Sequence, residues 1–201
     1  MYLRPVFTVD DPEKIAGLIR NNPFGVLVTL RDGAMEASHV PFVVEPGPRL
    51  VLAAHLGAAN PQVAALDGST GLAVFSGPHA YIAPGWYRTQ PAVPTWDYVA
   101  VHVHGTLERI DDAAGTATVL RALGKDDPMG FDVDALEERY RAQMFKGIKA
   151  FRLHPTRIEA QWKMSQNRSA EDREGVIAAL RGQGEHAVAD LIAETLPQPV
   201  A

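Results

Sequence analysis

Asp32-Gly33 constrains the fold more than any other pair of residues, because it lies between two strand-like runs, Phe24 to Leu30 and Met35 to Val44. Asp-Gly readily takes the positive φ angles of a two-residue hairpin turn, so the flanking runs are expected to pair antiparallel. Further strands are expected at Leu50 to His55, Gly71 to Ser76 and His79 to Ile82, the last two flanking Gly77-Pro78. The strongest strand pattern runs from Trp96 to about Arg109. Ile148 to Trp162 is the last, with an interruption expected at His154-Pro155.

Helical signals are scattered among these strands. Asp11-Pro12-Glu13 combines a capping side chain, a proline at the first helical position and an acid in the first turn; Ile15, Leu18 and Ile19 supply the apolar stripe. Asn60-Pro61 opens a short helix through Leu66. Residues 111 to 145 read as two helical pieces divided near Gly124 to Gly130. Ser169 and Asp172 have capping-box-like spacing ahead of Val176, Ile177 and Leu180, and a last helix is expected over Ala187 to Thr195. Hairpins with scattered helices and no regular βαβ alternation imply a mainly β (α+β) fold, an antiparallel barrel with helical additions. The 201 residues are expected to form a single domain, 1–201, in which 169–201 is a C-terminal helical extension.

Composition narrows the chemistry. The chain has no cysteine, which excludes disulfides, thiolate metal sites and cysteine nucleophiles. No apolar run approaches the length of a membrane span and the N-terminal residues lack a signal-peptide core, so a cytoplasmic protein is expected. A net charge of −5 gives no general attraction for nucleic acid. The second of the last two helices carries Glu185, Asp190 and Glu194 without Lys or Arg, which phosphates would repel. The Gly-rich dinucleotide fingerprint, the Walker A pattern and the Gly-x-Ser-x-Gly elbow are all absent, and no catalytic residue can be assigned.

Three stretches concentrate aromatic and polar side chains: His79 to Tyr87, Val93 to Gly105, and Trp162-Lys163-Met164-Ser165-Gln166-Asn167-Arg168. The last packs so much directional hydrogen-bonding capacity into seven residues that an anionic or heterocyclic ligand is expected there. Thr29, Ser38, His55 and Asn60 are candidates for a phosphate-sized pocket at a helix start, although Asn60 could equally be a simple cap and His55 a strand end. His102 and His104 share one strand face, but no third ligand is spaced to complete a zinc site, and no metal is expected.

The chain resembles the PaiB family of bacterial FMN-binding negative transcriptional regulators, relatives of the pyridoxamine-phosphate-oxidase-like split barrels. The resemblance rests on Phe24 to Thr29, His39-Val40-Pro41-Phe42, Asn60-Pro61-Gln62, His79 to Tyr87, Val93 to Tyr98, His102 to Gly105 and Lys163 to Arg168. It implies a split-barrel homodimer with FMN at the subunit seam. By that analogy Thr29, Ser38, His39, His55, Asn60 and Gln62 hold the phosphate and ribityl chain. Trp162 to Arg168, including Lys163, Gln166 and Arg168, reach across from the partner, and Trp96 also lies at the cofactor. The family pattern has Ser where this chain has Ala83 and Gly85, Asn where it has Asp97, and an aromatic where it has Val63; a carboxylate beside an anion site would weaken FMN binding. The resemblance also implies a repressor, although charge supports direct DNA contact poorly. Two alternatives stay open: an FMN-dependent oxidoreductase acting on a small planar substrate, and a haem-binding relative with His39 or His104 as axial ligand.

Overall fold

The turn at Asp32-Gly33 forms as expected, with φ of 51° and 80° at its two residues. It joins β1 (Phe24–Arg31) to β2 (Ala34–Pro41) in register from Phe24 opposite Pro41 to Arg31 opposite Ala34. The computed structural model describes residues 1–197. Val43–Val44 forms a separate short strand, β3, rather than continuing β2. The remaining strands are β4 (Leu52–Gly57), β5 (Thr70–Ile82), β6 (Thr95–Ile110) and β7 (Ile148–Lys163). Their hydrogen-bonded order is β2-β1-β5-β6-β7-β4-β3 in one antiparallel sheet.

Two expected interruptions are absent. β5 passes through Gly77-Pro78 without ending. Its buried side changes there, from odd positions (Gly71, Ala73, Phe75, Gly77) to even ones (Ala80, Ile82), so the sequence signal marks a change of phase rather than a strand end. β7 likewise continues through His154-Pro155. Gly105 on β6 accommodates that segment: a Cβ there would lie 2.3 Å from the His154 carbonyl oxygen.

The chain divides into two compact units. The hairpin unit comprises Asp11–Phe75 and Val101–Ile158; the terminal unit comprises Met1–Asp10, Ser76–Ala100 and Glu159–Ala201. In the hairpin unit, α1 (Pro12–Asn21) starts where Asp11 accepts from the Glu13 and Lys14 amides, and it buries Ile15, Ala16, Leu18 and Ile19. Phe42 stands edge-on to Phe75 and Phe151, with ring centroids 5.2 and 6.2 Å away, and all three are fully buried. A second apolar cluster joins Val119 of α2 (Ala113–Gly124) to Ala53, Ile110 and Ala150 of the sheet. The helix α3 (Glu138–Lys146) begins well after the expected break, because Asp127, Asp132 and Glu137 engage local backbone amides in turns and a cap.

In the terminal unit, α4 (Ala170–Gly182) is capped by Ser169, whose hydroxyl accepts from the Asp172 amide. Val176, Ile177 and Leu180 are buried, as their spacing implies. α5 (His186–Ala193) contributes Val188, Ala189 and Ile192 to the buried set, and the Arg173 guanidinium ties the end of the pair by donating to Thr195. Among the described residues, no helix is long and apolar enough to cross a membrane.

Candidate functional site

The proposed phosphate-pocket residues of the hairpin unit come together as a brace. Thr29 alternates in phase with Gly25 and Leu27, which places its hydroxyl on the buried side of β1. Gln62 answers that placement. Its Nε2 donates to Thr29 Oγ1 (3.0 Å), to the Leu27 carbonyl (3.2 Å) and to the Glu36 carbonyl (3.1 Å). Asn60 caps the following 3₁₀ turn by accepting from the Gln62 amide, while its own Nδ2 donates to Ser38 Oγ at 2.9 Å. Thr29 and Gln62 are fully buried, so they stitch β1, β2 and the turn together rather than offering donors to solvent. No cation joins Thr29, Ser38, Asn60 and Gln62 in these hydrogen bonds.

The histidines of this unit stand apart from that brace. His39 is exposed and stacks on Phe24 with centroids 5.9 Å apart. His55 is half-buried, its Nδ1 has no partner among the described residues, and burial pushes its pKa down. His104 Nε2 contacts the Arg157 guanidinium at 3.0 Å, which disfavours its use as an axial haem ligand.

The terminal unit holds a denser arrangement. β6 alternates with odd positions inward, so Asp97 shares the buried face with Val99 and is fully inaccessible. Two side chains compensate its carboxylate: Ser165 Oγ donates to Oδ2 at 2.6 Å, and Lys163 Nζ to Oδ1 at 3.1 Å. Burial still raises the Asp97 pKa, against the opposing pull of Ser165 and Lys163. Lys163 also donates to Thr95 Oγ1 at 2.8 Å and to the Trp96 carbonyl, which occupies all three ammonium protons. The carboxylate expected to repel an anion is therefore matched inside the protein.

The Trp162–Arg168 segment folds into a self-locked turn. Gln166 accepts from the Met164 amide at 2.7 Å and donates to the Trp162 carbonyl at 2.6 Å; the Arg168 amide donates to Ser165 O at 2.9 Å. Ser165 takes a left-handed conformation (φ 55°), which its hydrogen bond to Asp97 holds in place. Gln166 is thus a structural residue of the turn. Arg168 is presented differently: its guanidinium lies 4.3 Å from the Tyr87 ring centroid.

Two clefts open beside this turn. One, of about 150 Å³, is lined by Arg4, Lys163, Arg168, Tyr87 and Thr95. The other, of about 360 Å³, is lined by Tyr2, Trp96, Tyr98 and Gln161. They share Arg4, Phe7, Thr95 and Lys163 as a common wall. Arg4 sits 5.3 Å from the Phe7 centroid, and neither it nor Arg168 has a carboxylate within ion-pairing distance among the described residues. Asp172 is close enough to feel the Arg168 charge, but its oxygen accepts from the Thr89 amide at 2.8 Å. One cleft is cationic and the other aromatic. That combination suits a planar heterocycle carrying an anionic group.

Trp96, Lys163 and Arg168, three of the expected ligand residues, therefore converge on these clefts, whereas Gln166 does not. Sequence reasoning missed Arg4, Phe7 and Gln161, and took in Thr95 only as part of the Val93 to Gly105 stretch. Arg4 and Phe7 flank and end a three-residue 3₁₀ turn, too short to give a periodic signal. Gln161 lies on a strand identified from the sequence, but its polar contact is with Tyr98, far away along the chain.

Comparison with known proteins places the chain in a family. A family model described as "Putative FMN-binding domain" matches residues 1–157. The chain belongs to this FMN-binding family. The resemblance to PaiB agrees with that: protease synthase and sporulation protein PAI 2 of Bacillus subtilis is 32% identical over 190 residues, covering 91% of this chain and 90% of that protein. Among solved structures, the flavocytochrome Anf3 from Azotobacter vinelandii aligns with a TM-score of 0.63 at 12% identity, over 80% of this chain and 72% of that one. The FAD and heme binding protein from Mycobacterium smegmatis aligns with a TM-score of 0.60 at 15% identity, over 78% and 73%. These likenesses confirm the split-barrel fold. Family membership makes FMN the cofactor, and the residues present fit it: cations for a phosphate, rings for a flavin, and an unpartnered buried amide oxygen on Gln161.

Proposed function

We propose that the clefts of the terminal unit hold FMN. The phosphate lies at Arg4 and Arg168, and the isoalloxazine ring lies along Phe7, Trp96 and Tyr98. The observation that carries this reading is a pair of guanidinium groups, each resting on an aromatic ring and without a carboxylate partner among the described residues, lining a cationic cleft that shares a wall with an aromatic one. A guanidinium fork pairs with phosphate in two parallel hydrogen bonds, and a ring beneath it holds the fork flat. Lys163 adds positive charge nearby while remaining fixed by Asp97, Thr95 and Trp96. When bound, FMN supplies reversible one- and two-electron redox chemistry.

The biological role we infer is negative regulation of gene expression by a cytoplasmic homodimer, the role implied by the likeness to PaiB. A net charge of −5 and an acidic last helix argue that such regulation runs through a protein partner rather than through direct DNA contact.

Titration of stripped protein with FMN, read by flavin fluorescence, tests the binding site. Saturable binding weakened about tenfold by Arg4→Ala or Arg168→Ala is the expected result. Wild-type affinity in both variants would place the flavin elsewhere, and no saturation would remove the reading altogether. Retention on a DNA column at low salt would contradict the partner-mediated route.

A further inference from the structure

Gln161 is a buried carboxamide with unused hydrogen-bonding capacity. It is 3% exposed, it lines the aromatic cleft, and its Oε1 has no hydrogen-bond partner among the described residues. Its Nε2 donates to the Tyr98 hydroxyl. Because a phenol both donates and accepts, turning the carboxamide would exchange the satisfied atom but still leave the other unpaired. A buried amide atom without a partner is unusual in a folded protein, and here the residue that bears it is one of those lining a cavity.

The backbone holds this side chain in place. Gln161 bridges to Thr8 across the strand edge, and the Val9 amide donates to the Ala160 carbonyl at 3.1 Å. Tyr98 and Trp96 project from β6 on the same alternation, so a phenol and an indole stand beside the amide. A carboxamide has an acceptor and donors side by side. Its natural complement is a ring N–H flanked by a ring carbonyl, as in a cyclic imide or lactam.

We propose that Gln161, with Tyr98, reads the imide edge of the heterocycle that enters this cleft. Resting on the FMN assignment above, that edge is the N3–H and its neighbouring carbonyls at the pyrimidine end of the isoalloxazine. Gln161 lies beyond the 1–157 span matched by the family model, so that match does not assign it a role. The pairing selects planar ligands that carry an imide or lactam over those of the same size that do not, because the latter leave the buried amide unpaired.

The test compares FMN with its N3-methyl analogue, using wild type, Gln161→Leu and Arg168→Ala, with dissociation constants from flavin fluorescence. Wild type should prefer FMN by tenfold or more, Gln161→Leu should bind the two flavins alike, and Arg168→Ala should weaken both while keeping the preference. Equal binding of the two flavins by wild type would overturn the imide assignment and leave the FMN site standing. So would a preference retained in Gln161→Leu. Failure of wild type to bind either flavin would overturn both. The methylated ligand probes the unaltered protein, so the outcome does not depend on how well the leucine variant folds.

Discussion

Lys163 and Asp97 meet 3.1 Å apart, with the carboxylate wholly buried and the lysine side chain 20% exposed. The pair is asymmetric: Lys163 can turn to water if its partner is removed, whereas Asp97 cannot. Removing one member of a buried pair typically costs about 3–5 kcal/mol because the other is stranded. Lys163→Met should therefore destabilise far more than Asp97→Asn, and the double variant should recover much of the loss. Urea unfolding of the four proteins measures this; equal losses in the two single variants would contradict it.

The same carboxylate gives the protein a pH signature. Burial raises the folded pKa of Asp97 above its ordinary value of 3.8, so the native state binds its proton more tightly than the unfolded chain. Its contribution to stability is then most favourable below about 3.8 and declines as pH rises through the folded pKa. The stability of wild type relative to Asp97→Asn should fall over that interval and then level off. A rise in that difference with pH, measured by urea unfolding, would reverse the assignment.

His55 works in the opposite sense. Burial lowers its folded pKa below 6.5, so the unfolded chain takes up a proton first as the solution is acidified. Stability should decline as pH falls from 6.5 towards the lowered value, and His55→Gln should flatten that limb. Thermal melts in buffers of matched ionic strength resolve the two profiles. Parallel profiles would show that the imidazole is solvated.

Gln62 discriminates between a brace and a ligand contact. Its amide satisfies oxygens of Leu27, Thr29 and Glu36, the first two in buried bonds and the third in a part-buried one. Gln62→Leu should cost about 1–3 kcal/mol through stranded acceptors, yet leave FMN affinity unchanged at a temperature where the variant is folded. A large loss of affinity with stability intact would return Gln62 to the cofactor site.

What the sequence revealed depended on how local the physics is. The Asp11 and Ser169 caps and the Asp32-Gly33 turn were legible because each is decided within a few residues. The continuity of β5 and β7 was not, since prolines at 78 and 155 look like breaks unless the neighbouring strands are known. Asp97 was read from the sequence only as a carboxylate beside an anion site, although it alternates in phase with the buried Val99, Val101 and Val103. The partners of Thr29 and Gln161 lie 33 and 63 residues away, and no spacing rule connects them. Polar residues grouped along the chain suggested a ligand, while folding assigned many of them to one another.

A Cβ on Gly175 of α4 would fall 2.3 Å from the Trp86 carbonyl oxygen, so the helix and that turn touch backbone to backbone with no side chain to cushion them. The next residue, Tyr87, is the ring on which Arg168 rests. The C-terminal helices thus hold a lever on the cationic cleft. Any side chain at position 175 would push α4 off that turn, and with it the ring on which Arg168 rests.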